Sequence, residues 1–511
     1  MKRQQQRPVN HLELIKLPLH RIDNINELHS LEVGMLRNQA IKVRTFILWL
    51  LLVLFTRFLL GCADRDSQQQ NWNFVFILSD DLGWNQVGYH GFEFYETPNI
   101  DRIAEEGIYF TNAYAAAPVC SPTRACLMTG KHSARLHLTD YIPGSPYPYA
   151  HLITPQQAAC LPLEEVTIAE KLKEKGYITG HFGKWHLSTD KNYQPGRPFD
   201  PGSQGFDEIL TTVKPKPDAD PNADAHHAVK ITQRSLEFLE KHKDRPFFLY
   251  VSHHVVHRPL MENTDLIAKY QAKPDSDKPV HNPVMGAMIE RMDTGIGQIL
   301  QKLDELNLTD KTVVIFYSDN GGLESLQEQD PLRGGKAMIF EGGLRVPLAI
   351  RWPGIVKKGT ISDVLVNTED FFPTIMEIAQ VEYSQENLDG ISLIPVLKQQ
   401  GDLTRNTLYW HYPHYHHQGY KPASAIREGD FKLIEWYEET LLNSGTQVNL
   451  YNLRDDIGET TDLADEIPDL VKHLRTKLHD WKQRIGAQEM TLNPDYDPER
   501  AHWRFLDKEG D

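Results

Sequence analysis

Residues 118–130 read ProValCysSerProThrArgAlaCysLeuMetThrGly, with Cys120 near the head of the run. Pro122 just inside a helix start, with Ser121 and Thr123 beside it, predicts an N-terminal turn whose free backbone N–H groups point back toward Cys120. That end of a helix favours anions, and an ordinary cysteine there is expected to be an activated thiol. Arg124, one turn further along, carries a planar fork suited to closing on a tetrahedral oxyanion. Together these residues suggest a nucleophile facing sulfate or phosphate. Cys126, flanked by Ala125 and Leu127, reads instead as a buried thiol on an apolar helix.

A second group of residues offers hard oxygen. Asp80 and Asp81 follow one apolar run, and Asp319 and Asn320 follow another. Oxygen-only ligation points to calcium or magnesium rather than zinc. Either pair alone reads equally well as a strand-ending turn; both together, beside the cysteine run, point to a metal site.

CysSerProThrArg followed by LeuMetThrGly is similar to the signature of the type I sulfatase family, within the alkaline phosphatase superfamily, in which the cysteine is converted to formylglycine. The resemblance, to bacterial polysaccharide-type sulfatases in particular, covers the chain from about residue 73 to its end. It implies that Cys120 is matured by a formylglycine-generating or sulfatase-maturating enzyme. It also implies that Asp80, Asp81, Asp319 and Asn320 hold Ca2+ together with residue 120 and a sulfate oxygen. Lys184 and His186 in GlyLysTrpHisLeu, His257 in HisArgPro and Lys336 in ArgGlyGlyLys each match a catalytic position of the family. The implied reaction is in-line attack on sulfur by one hydroxyl of the hydrated aldehyde, with Arg124, Lys184 and Lys336 stabilising the transferring group. His257, assisted by Lys336, protonates the departing sugar oxygen, and His186 deprotonates the second hydroxyl so that sulfate leaves. Ser188 departs from the glycine usual after GlyLysTrpHisLeu, which bears on the local turn and not on the chemistry.

These residues need elements to bring them together. Apolar runs at 74–78, 178–182, 247–251 and 313–317 each lead directly into polar groups, the last three into Lys184 and His186, into His253, His254 and His257, and into Asp319 and Asn320. Continuous runs of this length suit strands buried on both faces. In a doubly wound sheet the functional crevice lies outside the carboxyl ends of the strands, so the four runs converge on one site. Helical patterns between them, at 100–106 and 287–306, complete an α/β alternation. The expected fold is a large mixed, mainly parallel sheet flanked by helices, alkaline-phosphatase-like, over residues 72–391. Shorter strand-like pieces at 407–410, 423–427, 431–436 and 449–452, then a helix from Pro468 with Leu470, Val471, Leu474, Leu478, Trp481 and Ile485 on one face, predict a smaller antiparallel sheet plus helix over 392–511.

The 511 residues carry a net charge of −16, which argues against nucleic acid as a partner and means that a sulfated ligand must be captured by a local basic pocket. The four cysteines are too few and scattered for a disulfide scaffold. Residues 45–61 follow Lys42 and Arg44, are apolar as far as Phe55, and end in LeuLeuGlyCys, which resembles a bacterial lipobox. The run is short of the roughly 20 residues of a spanning helix and suits a signal segment. Residues 1–61 are therefore expected to be a signal, with the true start at Met35. Cys62 is expected to be lipidated at the head of a polar tether, 62–71, making the protein an exported lipoprotein of the periplasm or outer membrane.

The run HisTyrProHisTyrHisHisGlnGly at 411–419 fits a sugar-binding rim, surface structure or a transition-metal tract. His411, His414 and Arg427 are the candidate substrate contacts. The expected activity is removal of sulfate esters from carbohydrate, algal polysaccharides such as ulvan or carrageenan being the first substrates to try. A phosphodiester or phosphonate hydrolase of the same superfamily and a silent glycan-binding lipoprotein are the alternatives.

Overall fold

The computed structural model describes residues 37, 41, 43–51, 71–188, 193–418 and 420–504. Met35, Cys62 and the tether up to residue 70 lie outside the described residues. Residues 1–70 and 71–511 are separate units. In the first, the described residues are helical and exposed. Among the described residues no helix is long and apolar enough to cross a membrane.

The second unit is built on an eight-stranded sheet: β1 (Asn73–Ser79), β2 (Ile108–Phe110), β3 (Ile178–Gly183), β4 (Glu208–Thr211), β5 (Phe247–Ser252), β6 (Thr312–Ser318), β7 (Leu348–Arg351) and β8 (Thr360–Ser362). Its order is β8-β2-β7-β6-β1-β5-β3-β4. Neighbours are parallel except at β7, which runs antiparallel to both β2 and β6. The four apolar runs are the four adjacent central strands, and every residue of β1, β5 and β6 is buried.

Alternation along β1 shows why. Phe74, Phe76 and Leu78 face a layer that includes α2 (Cys120–Thr129), α3 (Ile168–Glu174) and α6 (Phe371–Ala379). Val75 and Ile77 face the opposite layer, formed with α1 (Pro98–Glu105), α4 (Ala228–His242) and α5 (Pro283–Glu305), where Met288, Met292 and Ile296 supply the apolar stripe. With both faces covered there is no polar side to alternate with, so the strands read as unbroken apolar runs.

A second sheet of four antiparallel strands follows: β9 (Thr407–Tyr412), β10 (Ala423–Glu428), β11 (Phe431–Trp436) and β12 (Val448–Asn452). Leu474, Leu478, Trp481 and Ile485 of α7 (Pro468–Ile485) pack on one face through Ile426, Leu433 and Leu450. The other face, through Trp410, Ala425 and Ile434, packs on Tyr114, Ile339 and Leu344. Lys432, fully buried, bridges Glu341 at 3.0 Å and Glu459 at 2.9 Å across this seam. The second sheet is thus part of one compact unit with the first.

Candidate active site

The carboxyl ends of β3, β5, β1 and β6 lie side by side, with Gly183 paired to Ser252, Leu78 to Ser252 and Ser79 to Ser318. Each strand therefore releases its next residues at the same height. Gly183 has a φ of 118°, and a Cβ there would stand 1.7 Å from the Ser252 carbonyl oxygen, so only glycine makes the turn that delivers Lys184. On the facing side α2 begins at Cys120 itself; its N-cap, Val119, provides no side-chain cap. Thr123 Oγ1 instead binds back to the Ala117 and Val119 carbonyls, and Ser121 Oγ accepts from the Ile142 amide. The first turn of α2 is held by these contacts with the residues around it.

The side chains interlock around Cys120. Its Sγ lies 3.4 Å from Asp80 Oδ1, 3.8 Å from Asp81 Oδ1 and 3.5 Å from Lys336 Nζ. Lys184 Nζ donates to both Asp80 oxygens, at 2.9 and 2.8 Å. Lys336 Nζ pairs with Asp81 at 2.7 Å. Arg124 donates to Asp319 Oδ2, to Ser252 Oγ at 2.7 Å and to the Lys184 carbonyl at 3.2 Å. Three carboxylates and three cations thus neutralise each other in a buried pocket.

Burial raises the Cys120 thiol far above the ordinary range, Asp319 and Asp80 add to this, and Lys184 and Lys336 only partly offset it. This corrects the expectation of an activated thiol: the helix end and the lysines are outweighed by desolvation and two carboxylates. Burial alone would raise Asp80 too, but Lys184, with His257, Arg124 and Lys336, holds it well below the ordinary range. Asp319 goes the other way, pushed up by burial against the pull of Arg124.

The donor set fits a hard divalent cation. One atom each from Asp80, Asp81, Cys120 and Asp319 lie within 4.8 Å of one another. Asn320 donates from Nδ2 to Asp81 Oδ1 at 2.9 Å, while its Oδ1 is buried without a hydrogen-bond partner. A buried amide oxygen left bare beside three carboxylates is what a cation bound by oxygen requires.

Both expected acid–base histidines are partly exposed at the crevice. His257 Nδ1 donates to the Arg258 carbonyl at 2.7 Å, so Nε2, 4.0 Å from Asp81 Oδ2, is the nitrogen free to exchange a proton toward the site. Burial, then Lys336, pulls its pKa well down. His186 Nε2 donates to the Ile142 carbonyl at 2.8 Å, which makes Nδ1 the lone-pair nitrogen of the neutral ring.

The expected substrate rim is corrected at three residues. His411 is buried in the second sheet, with Nδ1 on Ser424 and Tyr437 and Nε2 on the Gln488 carbonyl. His414 is buried against Thr139 Oγ1 at 2.7 Å. Arg427 is buried, binding the Gly429 carbonyl and the Tyr114 hydroxyl. All three hold the fold, His411 and Arg427 from strands of the second sheet and His414 from the loop after β9, because buried polar atoms must be satisfied wherever they lie. Ser252 and Thr212 were not anticipated, and His254 was expected only as one of the polar groups that follow the 247–251 run. Ser252 anchors Arg124, and His254 Nε2 meets Thr212 Oγ1 at 3.0 Å beside the site. The one signal for Ser252 was its place as a polar residue closing an apolar run, as Ser79 and Ser318 close theirs. Cys126 and Cys160 are free thiols.

Comparison with known proteins agrees with this arrangement. Residues 72–381 match the family model described as Sulfatase, and residues 335–484 match N-sulphoglucosamine sulphohydrolase, C-terminal. A Sulfatase of Formosa agariphila is 31% identical over 522 aligned residues, covering 85% of this chain and 93% of that protein. The N-acetylgalactosamine-6-sulfatase of Homo sapiens is 31% identical, covering 66% of this chain and 68% of its own. The solved structure of Ps i-CgsB in complex with k-i-k-neocarrahexaose shares the fold, with a TM-score of 0.68 at 24% identity over 85% of this chain and 97% of that one. With its four strand ends, its buried cysteine and this match over most of its length, the chain belongs to the sulfatase family of sulfuric ester hydrolases.

Proposed function

We propose that this sulfatase removes sulfate esters from carbohydrate, with Cys120 converted to formylglycine and Ca2+ held by Asp80, Asp81, Asp319 and Asn320. The observation that carries the reading is the state of Cys120. Its side chain is buried among three cations and against three carboxylates. Such a setting does not serve a thiolate. It suits a hydrated aldehyde, which supplies two hydroxyls at one carbon. Ca2+ would supply fixed positive charge for a sulfate oxygen.

The chain's own residues do the rest. Lys184, Lys336 and Arg124 surround the position of the transferring group and stabilise the charge that spreads over its oxygens. Lys336 Nζ, held protonated, supplies the proton that His257 Nε2 passes to the leaving oxygen; His186 presents Nδ1 as the base for the second hydroxyl. The similarity to the N-acetylgalactosamine-6-sulfatase supports a sugar substrate. Ulvan and carrageenan fragments are the first to test. Maturation calls for a formylglycine-generating partner, and export as a lipoprotein anchored at Cys62 completes the proposal.

Mass spectrometry of the peptide containing residue 120, from protein that releases sulfate, tests it directly. A free thiol at full activity sinks the mechanism. Faster turnover of an aryl phosphate or phosphonate ester than of the matched aryl sulfate would favour a phosphodiester or phosphonate hydrolase of the same superfamily.

A further inference from the structure

The chain neighbour of Cys120 reaches the side chain assigned as second base through a single residue. Ser121, fully buried in the first turn of α2, accepts from the Ile142 amide at 3.0 Å. The carbonyl of the same Ile142 lies 2.8 Å from His186 Nε2. A carbonyl can only accept, so this contact puts the ring proton on Nε2 and the lone pair on Nδ1. Ile142 thus links the helix that carries residue 120 to His186.

Both ends of the link need holding. Residues 141–146 form no helix or strand, so no backbone ladder fixes the Ile142 carbonyl. Gln157 accepts from the Asp140 amide at 2.8 Å and donates to the Tyr141 carbonyl at 3.1 Å, and the Tyr412 hydroxyl donates to Asp140 at 2.9 Å. These contacts stop one residue short of Ile142, and Ser121 supplies the next one. His186 has a φ of 53°, in the left-handed region that residues with a Cβ seldom adopt. Such a conformation persists where its surroundings over-determine it, and the Ile142 carbonyl is part of those surroundings.

We infer that Ser121 is a positioning residue for sulfate release: through Ile142 it keeps His186 in the Nε2–H tautomer, which leaves Nδ1 as the nitrogen able to take a proton. The inference rests on the sulfatase reading above. In that step the proton of the second hydroxyl passes to Nδ1, the aldehyde C=O forms and the C–O bond to sulfate breaks, so that sulfate leaves as the dianion. A ring protonated on Nδ1 has no lone pair there to begin it. The Ile142 carbonyl also favours the imidazolium that the step creates, because a hydrogen bond from a charged donor is the stronger one.

The test is steady-state and rapid-mixing kinetics of Ser121→Ala on matched alkyl and aryl sulfates, each preparation normalised by peptide mass spectrometry to its formylglycine content at residue 120. Release of the alcohol precedes the affected step, so kcat/KM should hold within about twofold while kcat and KM fall together. The fall should be about tenfold, a part of what a positioned base contributes. A burst of alcohol or phenol ahead of sulfate should appear with both substrates, and Ser121→Thr, which keeps the hydroxyl, should restore kcat. Thr123→Val disturbs the same turn through Ala117 and Val119 and should give no burst. Native kcat in Ser121→Ala, a fall in kcat/KM as large as that in kcat, or an equal burst in Thr123→Val overturns the inference. Should Ser121→Ala escape maturation, nitrogen-15 imidazole NMR in the Cys120→Ala background decides instead, with the His186 signal assigned by its loss in His186→Gln. The Nε2–H tautomer is expected with Ser121 present and a gain of the Nδ1–H tautomer in Ser121→Ala; an unchanged tautomer overturns the inference. Matured native chain that releases no sulfate counts against the sulfatase reading and not against the link.

Discussion

Arg124 donates from Nε to Asp319 Oδ2 at 2.9 Å and holds Nη2 2.7 Å from the same oxygen as an ion pair, and both side chains are almost wholly out of solvent. The pair joins the helix that carries the nucleophile to the strand end that carries a metal ligand. Burial has already pushed Asp319 upward, so removing the guanidinium leaves that carboxyl with its largest opposing influence gone. Breaking one side of a buried pair typically costs about 3–5 kcal/mol. Arg124→Ala is expected to lose stability of that order in urea denaturation, besides losing activity. A loss below about 1 kcal/mol would mean that Asp319 finds another partner or takes up a proton at little cost.

Ca2+ should stabilise the protein independently of any turnover. A cation that binds only the folded state adds about 2.7 kcal/mol at a hundredfold excess over its Kd. In thermal denaturation with exhaustively chelated protein, added Ca2+ is expected to raise the midpoint. In Asn320→Ala, which removes the bare amide oxygen, the shift should shrink or vanish. An identical shift in the variant would place the cation elsewhere. No shift in the native chain would contradict the metal assignment itself.

The pH dependence of stability has a separate source near the rim. Burial raises Asp140 to about 7, against the hydrogen bonds it accepts from the Tyr412 hydroxyl and the Tyr141 amide. In the unfolded chain it titrates near 3.9. The folded state therefore holds its proton more tightly, and the stability this contributes is fully present below about pH 4 and is lost as pH rises through about 7. Asp140→Asn carries no such titration. Its stability relative to the native chain should climb between pH 5 and pH 7.5 in urea titrations, and a gap constant across that window would show that Asp140 ionises normally.

The parts legible in the sequence are those set by local pattern. Residues 74–78 and 313–317 are apolar because α/β layers cover both faces of their strands, so the strand ends, and with them Asp80, Asp81, Asp319 and Asn320, followed directly. The strand β7 did not, because nothing in Leu348–Arg351 says that it runs antiparallel between β2 and β6. The roles of Ser252 and of the Ile142 carbonyl depend on contacts 128 and 44 residues away in sequence, which no local spacing encodes. The histidine run misled at His414, in the loop after β9, because Thr139 meets it from 275 residues away, and at His411 for a related reason. Alternation in a strand says which residues share a face, but which face is buried depends on what packs there, here α7 on one side and Tyr114 on the other.

The two histidines should separate kinetically. His257 Nδ1 is committed to the Arg258 carbonyl, and Nε2 faces the site; His186 is committed through the opposite nitrogen, Nε2, to the Ile142 carbonyl. If His257 protonates the leaving oxygen, His257→Ala should harm alkyl sugar sulfates, whose alcohols leave poorly, far more than an aryl sulfate whose phenolate needs little help. The difference should be of the order of the 10²–10⁴-fold that general acid catalysis contributes. His186→Ala should slow both substrates alike, because the step it serves comes after the alcohol or phenol has gone. In rapid-mixing experiments that variant should release a burst of alcohol ahead of sulfate, with an amplitude near the enzyme concentration. Equal losses on both substrates in His257→Ala, together with no burst in His186→Ala, would reverse or remove these roles while leaving the metal and the residue at 120 as argued.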